Sequence, residues 1–321
     1  MELMIYAAPG PGSARYEQHM RLAQAAEKFG YSGFFEGDHY LGDDLPGPID
    51  AWVTLAGIAR ETSSIRLGTL VTSATFRYPG PLAVQVAQID QMSGGRVDFG
   101  VGAGWVEIEH RAYGIPYPPL KERFDRLEEY LAVITGLWRT PIGERFSYHG
   151  NHFRLENSPA LPKPHQPGGP PIIMGGWGTK RTPAISARYA NEFNQQPVGT
   201  ESGDVSTAPT TGIDFAAEQF ERVREACRAV GRDPSELTFS TTLTLCCGRT
   251  DAEIASRAEP TGRSVDDLRA FGCGGSPAEL VDMIGRCAEV GASRIYLIIH
   301  DFDDLDQIEL VASEVMPQLD N

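Results

Sequence analysis

The stretch from Ser64 to Trp105, SIRLGTLVTSATFRYPGPLAVQVAQIDQMSGGRVDFGVGAGW, restricts the fold more than any other part of the chain. Ile65, Leu67, Leu70 and Val71 form a β-rich, mostly apolar run of the kind that makes a buried strand. Pro79 stands where a helix starts, Leu82 to Met92 is apolar and helix-forming, and Ser93-Gly94-Gly95 stops it. Val97 to Val101 is a second buried strand. A strand, a helix and a strand at this spacing make a parallel crossover unit, and sheets built from such units take ligands at the carboxyl ends of their strands. Two polar loops fall there, Thr72-Ser73-Ala74-Thr75 and Gly102-Ala103-Gly104-Trp105. The glycines are spaced Gly-x-Gly-x-Gly, not as the dinucleotide fingerprint, and no acidic residue closes a following βαβ unit. Taken alone, the run is either a tight turn at a sheet rim or a place where a ligand approaches bare backbone.

The remainder alternates in the same way. Glu2 to Ala7 is a strand followed by the loop Ala8-Pro9-Gly10-Pro11-Gly12, and Tyr16 to Phe29 is an amphipathic helix ended by Gly30. Gly33 to Gly37 is the second strand, with Asp38-His39-Tyr40 at its carboxyl end, and Asp50 caps a helix through Trp52, Leu55, Ile58 and Ala59. Phe124, Leu127, Leu131, Ile134 and Trp138 recur at helical spacing, which predicts a long helix on the exterior. Residues 140–170 hold a hairpin and a Pro-rich connector, an insertion long enough to cover a site. Pro171 to Met174 is a fifth strand ending in Gly175-Gly176-Trp177-Gly178, followed by a helix from Thr182 to Tyr189 and a polar sixth strand, Asn191 to Gln196. Residues 201–212 are rich in Ser, Thr and Gly and are expected to be mobile. Phe215 to Val230 is helical, and Leu237 to Leu245 is the seventh strand. Ser276 to Glu279 is a capping box opening a helix that buries Leu280, Met283, Ile284 and Cys287. Arg294 to His300 is the eighth strand, and a last helix closes near Leu319. Eight such alternations predict an α/β fold, a (β/α)8 TIM barrel with an insertion around 140–170, as one domain over 1–321.

Composition excludes several function classes. No apolar run reaches membrane-span length and the N-terminus lacks a charged-then-apolar pattern, so no membrane partner and a cytoplasmic location are expected. A net charge of −15 argues against nucleic acid, and an anionic cofactor needs an amide-rich or locally positive pocket. The cysteines, five in number, are irregularly spaced and fit neither a disulfide framework nor a zinc cluster. Cys246 and Cys247 are expected on opposite faces of a strand. There is no His-x-His after the first strand and no other cluster with metal-ligand spacing, so no metal site is expected.

The segment LGTLVTSATFRYPGPLAVQVAQIDQMSGGRVDFGVGAGW resembles the luciferase-like flavin and deazaflavin oxidoreductases, in particular their coenzyme F420-dependent branch, and the likeness extends over most of the chain. The resemblance implies a barrel that binds F420, with FMN as the alternative cofactor, acts on a small-molecule substrate and forms a homodimer. From its position alone, His39 is either a loop histidine or a proton-transfer group. The resemblance implies the second, with the imidazole beside the ring and the substrate, and leaves His110 and His300 as weaker candidates. It assigns cofactor contacts to Asp38, Leu70, Val71, Thr72, Ser73, Gly102, Ala103, Gly104 and Glu107, and to the glycine turn Gly175, Gly176, Trp177 and Gly178. Thr72 and Ser73 would offer hydroxyl donors. The turn would take a phosphate, with charge added by Lys180 and Arg181. It also implies a non-proline cis peptide at Leu70–Val71. The F420 sugar-phosphate dehydrogenases carry an acid/base glutamate where this chain has Trp105, a departure that counts against sugar-phosphate oxidation. Arg77 is expected to pair with a carboxylate. Hydride transfer with F420 leads the functional expectations. An FMN monooxygenase using reduced flavin and oxygen follows, then a flavin-binding barrel without catalysis.

Overall fold

A computed structural model describes residues 1–8, 15–41, 49–195 and 212–319. The strands are β1 (Glu2–Ala7), β2 (Gly33–Glu36), β3 (Arg66–Thr69), β4 (Thr72–Ser73), β5 (Val97–Gly102), β6 (Phe146–His149), β7 (Arg154–Ser158), β8 (Ile172–Gly175), β9 (Glu192–Gln195), β10 (Thr238–Cys247), β11 (Cys273–Gly275) and β12 (Arg294–Ile299). The helices are α1 (Tyr16–Phe29), α2 (Ala51–Glu61), α3 (Pro79–Ser93), α4 (Glu107–Ala112), α5 (Leu120–Arg139), α6 (Arg181–Tyr189), α7 (Ile213–Ala229), α8 (Asp251–Ala258), α9 (Val265–Phe271), α10 (Pro277–Glu289) and α11 (Leu305–Glu314). Strands β1, β2, β3, β5, β8, β9 and β10 pair in parallel, and β10 returns through β12 to β1, closing an eight-stranded barrel. The chain is thus the (β/α)8 barrel that the alternation predicts.

The period-two alternation of the strands divides the apolar residues into two cores. Leu3, Ile5 and Ala7 of β1 face outward into the layer shared with the helices, while Met4 and Tyr6 face the lumen with Phe35, Leu70, Ile173 and Tyr296. Helix stops and starts follow local chemistry. Gly30 and Gly94 end α1 and α3 in the left-handed region, at φ +84° and +72°. The Asp50 carboxylate accepts from the Val53 amide, and Ser276 and Glu279 form a reciprocal capping box. Cys246 and Cys247 do lie on opposite faces of β10, in different apolar clusters. The polar β9 pairs with β8 and β10 in register. Its Glu192 is held inside the barrel by Arg294 Nη1 at 2.5 Å and by the Tyr296 hydroxyl at 2.8 Å.

The insertion departs from expectation. It forms a hairpin, β6 with β7, but packs against α5, with Phe153 meeting the Tyr130 ring and Phe146 beside Gly136, while Leu155 lies beside Gly80 of α3. The Glu129 carboxylate on α5 accepts from the amides of Asn151, His152 and Phe153 at 2.8–3.0 Å. The connector then reaches the amino end of β5, where Gln166 Nε2 donates to the Val97 carbonyl at 2.7 Å. Helix polarity is the cause. A helix that follows a barrel strand runs back toward the amino-terminal face, so a segment inserted after α5 starts at the face opposite the strand carboxyl ends. The loop Pro9 to Gly12, Gln196 at the end of the sixth strand and residues 201–211 lie outside the described residues.

One carboxylate ties the end of α1 to the start of β3. Glu27 Oε1 accepts from the amides of Ser63, Ser64 and Ile65 at 2.8, 2.6 and 3.0 Å. Partial burial opposes the charged form, but the amides override it and lower the carboxyl from 4.5 to about 2. The folded-state value lies below the unfolded one, so this contribution is complete above pH 4.5 and disappears as the pH falls through about 2. Glu27→Gln is expected to lower Tm at pH 7 by about 2 °C or more. In thermal scans across pH the gap to wild type should narrow below pH 4.5; a gap independent of pH contradicts this role.

Candidate functional site

A cavity of about 500 Å³ opens at the carboxyl ends of the strands, within the range that holds a cofactor-sized ligand. Of the residues singled out in the sequence, Asp38, His39, Leu70, Val71, Thr72 and Ser73 line it from one side. Gly102, Ala103, Gly104, Gly175, Gly176 and Trp177 line it from the other. Gly178 and Glu107 are not among the lining residues, and Glu107 is exposed on α4. The 140–170 insertion contributes no lining residue, so the expectation that it covers the site is not met.

His39 leaves β2 toward the cavity with its side chain 20 % exposed, and its Nδ1 lies 3.0 Å from Glu109 Oε1. Glu109 Oε2 also accepts from the Tyr40 amide at 2.9 Å. Burial pushes this carboxyl up, but the His39 bond and the Tyr40 and Leu41 amides outweigh it and hold Glu109 below its usual range. An ionised carboxylate can only accept, so Nδ1 must donate, and the neutral ring keeps Nε2 as its free acceptor. Glu109, the partner of His39 in the cavity wall, was not singled out by sequence reasoning. It stands two positions from Glu107 on α4, which puts the two on opposite faces of the helix. The His110 beside it serves the scaffold instead. Its Nδ1 donates to the Val106 carbonyl at 2.6 Å, and its Nε2 accepts from Thr75 at 2.6 Å. His300 follows β12 and is not among the lining residues, and its imidazole is lowered by burial and by the Arg263 charge.

That fixed imidazole sets the polarity of the next hydroxyl. Thr75 spends its proton on His110, so the 2.7 Å contact between Thr75 and Ser73 requires Ser73 to donate. Ser73 then offers the cavity lone pairs, not a proton, which reverses the expected donor. Thr72 is occupied as well, accepting from Trp52 Nε1 at 2.8 Å and lying 3.1 Å from Thr69 Oγ1.

The Leu70–Val71 peptide is cis, as the resemblance implies. The Val71 side chain fills the space left by glycines on two neighbouring strands. A Cβ on Gly102 would lie 3.0 Å from Val71 Cγ2, and one on Gly175 would lie 2.9 Å from Cγ1. A Cβ on Gly104 would strike the Ser73 and Thr75 hydroxyls. These glycines are therefore demanded by the protein's own packing. Gly176 and Gly178, at φ +126° and +147°, differ: a Cβ there would meet nothing nearer than the Thr182 side chain, at 3.9 and 3.5 Å. The bare backbone of that turn faces open space. The Gly178 amide is spent on Gln219 Oε1 at 3.0 Å. Arg181 is spent too, on Asp125 and Glu128 of α5 at 2.5 and 2.6 Å, and Lys180 does not line the cavity.

The luciferase-like monooxygenase family model matches residues 3–293. The chain belongs to this family. It is 31% identical over 247 residues to the F420-dependent hydroxymycolic acid dehydrogenase of Mycobacterium tuberculosis, covering 76% of this chain and 62% of that protein. The match thus spans less than two thirds of the relative's length. Among solved structures, the monooxygenase RslO1 from Streptomyces bottropensis superposes with a TM-score of 0.83 at 22% identity, covering 99% of each chain. An F420-dependent secondary alcohol dehydrogenase in complex with an F420-acetone adduct gives 0.83 at 19%, covering 98% of each. At such identities these two establish the fold alone.

Behind the cavity wall of this luciferase-like barrel, Arg77 makes the expected pairing. Its Nη1 and Nη2 donate to the two Asp38 oxygens at 2.5 and 3.0 Å, and Nη2 also reaches Asp50 Oδ2 at 2.6 Å. Burial raises the Asp38 carboxyl, and the guanidinium opposes that rise. Arg77→Met should destabilise the fold by about 3–5 kcal/mol in urea titration, because Asp38 is left buried and unpaired. Adding Asp38→Asn should recover part of the loss; an additive double variant contradicts the coupling.

Proposed function

We propose that the protein is a coenzyme F420-dependent oxidoreductase acting on an alcohol or carbonyl group at the carboxyl-end cavity. The observation that carries the proposal is His39, fixed through Nδ1 by an ionised Glu109 so that Nε2 is free at the cavity wall. The identity to an F420-dependent dehydrogenase supports the choice of cofactor. The residues present fit such a group. The bare backbone of Gly176 would take its side chain, and Val71 and Leu70 would back a flat ring. Bound there, F420 supplies a two-electron hydride carrier. His39 Nε2 accepts the hydroxyl proton of the substrate in oxidation and returns one to the carbonyl oxygen in reduction. Glu109 stabilises the imidazolium in the first case and holds the ring in position in both. Ser73, whose proton goes to Thr75, would accept from a ring N–H of the cofactor. Trp105, Leu120, Trp177 and Phe271 line the cavity yet remain exposed, so its mouth is an apolar rim suited to a substrate with a hydrophobic body.

A monooxygenase using reduced FMN and oxygen is the alternative, since the same fold is shared by the monooxygenase RslO1. Fluorescence titration of the purified protein separates the two. F420 is expected to bind in the micromolar range or tighter, and FMN much more weakly; tight FMN uptake without F420 affinity overturns the proposal. With F420 bound, His39→Ala should lose about 10²–10⁴-fold in kcat while keeping cofactor affinity. Full turnover in that variant removes the catalytic assignment.

A further inference from the structure

Most hydroxyls on the cavity wall give their protons to acceptors within the protein. Ser73 donates to Thr75, Tyr117 to the Trp105 carbonyl at 2.8 Å, Thr182 to the Trp177 carbonyl at 3.0 Å and Thr242 to Asn194 Oδ1 at 3.0 Å. Thr72 lies between Trp52 and Thr69. Tyr6 and Thr244 differ. Both line the cavity, at 7 % and 5 % exposure, and neither hydroxyl has a hydrogen-bond partner among the described residues. A hydroxyl left buried and unpaired is unfavourable, so each is set to bond to whatever enters the cavity. Burial, aided by the Glu36 charge, pushes the Tyr6 phenol up, so it stays protonated and able to donate.

The two hydroxyls belong to one row of the barrel. Tyr6 of β1 pairs with Ile298 of β12, and Ile298 pairs in turn with Thr244 of β10. In the closed barrel β10, β12 and β1 stand opposite β3, β5 and β8, the strands that hold Gly102 and Gly175 and lead into Val71. The row thus faces the wall assigned above to the flat ring, which leaves it to the substrate. Arg263 lines the cavity on this same side. It belongs to the excursion between β10 and β11, and its charge acts on Cys246 of β10 and on His300 just after β12. Among the described residues its guanidinium has no ion pair and no hydrogen bond. The carboxylates of the cavity are taken, Asp38 by Arg77 and Glu109 by His39. Arg123 serves the other wall, where its Nη1 donates to the Gly104 carbonyl.

We propose that this row and Arg263 form a carboxylate site for the substrate, with the guanidinium supplying the charge and the Thr244 and Tyr6 hydroxyls supplying donors. One cation beside two neutral donors matches a monoanion, whereas a phosphate monoester carries more charge than a single guanidinium offsets. The substrate class is then a hydroxy acid or an oxo acid with an apolar body. Its carboxylate lies against the Tyr6–Thr244 row, and its hydroxyl or carbonyl turns to His39. The inference deepens the function proposed above and rests on it for the reacting group alone.

Calorimetric titration of the cofactor-free protein with hexanoate, hexan-1-ol and hexyl phosphate tests the site. Hexanoate should bind about tenfold more tightly than hexan-1-ol, with the difference shrinking as salt rises. Arg263→Gln should remove that preference and leave hexan-1-ol within about twofold. Tyr6→Phe and Thr244→Val, which delete one hydroxyl each at nearly constant shape, should each weaken hexanoate about three- to tenfold and hexan-1-ol less than about twofold. Equal affinities of wild type for hexanoate and hexan-1-ol overturn the inference. So does a preference for hexyl phosphate over hexanoate, which would change the substrate class. Variants that leave hexanoate binding unchanged, or that weaken both ligands alike, overturn it as well. A protein that selects hexanoate through Arg263 but binds no F420 keeps this site and removes the cofactor reading, so the two failures are distinct.

Discussion

The site depends on one contact: the Val71 side chain seated against the missing side chains of Gly102 and Gly175. Those glycines lie on β5 and β8, so a residue following β3 reaches over two strands beyond its own. A Cβ at either glycine would come closer to Val71 than ordinary van der Waals contact allows. The wall of the cavity is therefore a packed surface with little freedom to shift, which suits a rigid planar ligand. Hydroxyls follow from the same arrangement. Ser73 and Thr75 close against Gly104, and the hydrogen-bond chain from His110 fixes which of them has a proton to give.

Electrostatics at the rim obey a second constraint. Each buried acid has its own cation or amides: Asp38 has Arg77, and Glu109 has His39 and two backbone amides. This pairing leaves His39 with one defined free nitrogen, and it leaves Arg123 as the buried positive charge for which the described residues offer no anion. The local field at the cavity wall thus differs from the global one of a strongly acidic chain.

Most of the barrel was legible because strand periodicity, proline starts and glycine stops act locally. Tyr16 to Phe29 and Glu2 to Ala7 coincide with α1 and β1 to the residue. Even polar β9 was recognisable, although what makes it a strand is nonlocal: Glu192 is satisfied by Arg294 and Tyr296 from β12. The stretch between β10 and α10 went unread, since α8, α9 and the three-residue β11 are too short for periodicity to register. The insertion was misjudged for want of helix direction, which the alternation already contains. Site reading failed where tertiary partners decide. Nothing in the sequence says that Arg181 is consumed by α5, or that Glu109 rather than Glu107 turns inward, although helical spacing does say that the two cannot both do so.

The central claim is that a flat redox ring lies against Val71 with the His39 imidazole beside it. A crystal structure of the protein with F420 tests this most directly. The account predicts deazaflavin density over Val71, with His39 Nε2 facing the ring-side substrate space and the His39–Glu109 bond kept. Density for the ring elsewhere, or His39 turned away from the cavity with Glu109 released, would contradict it.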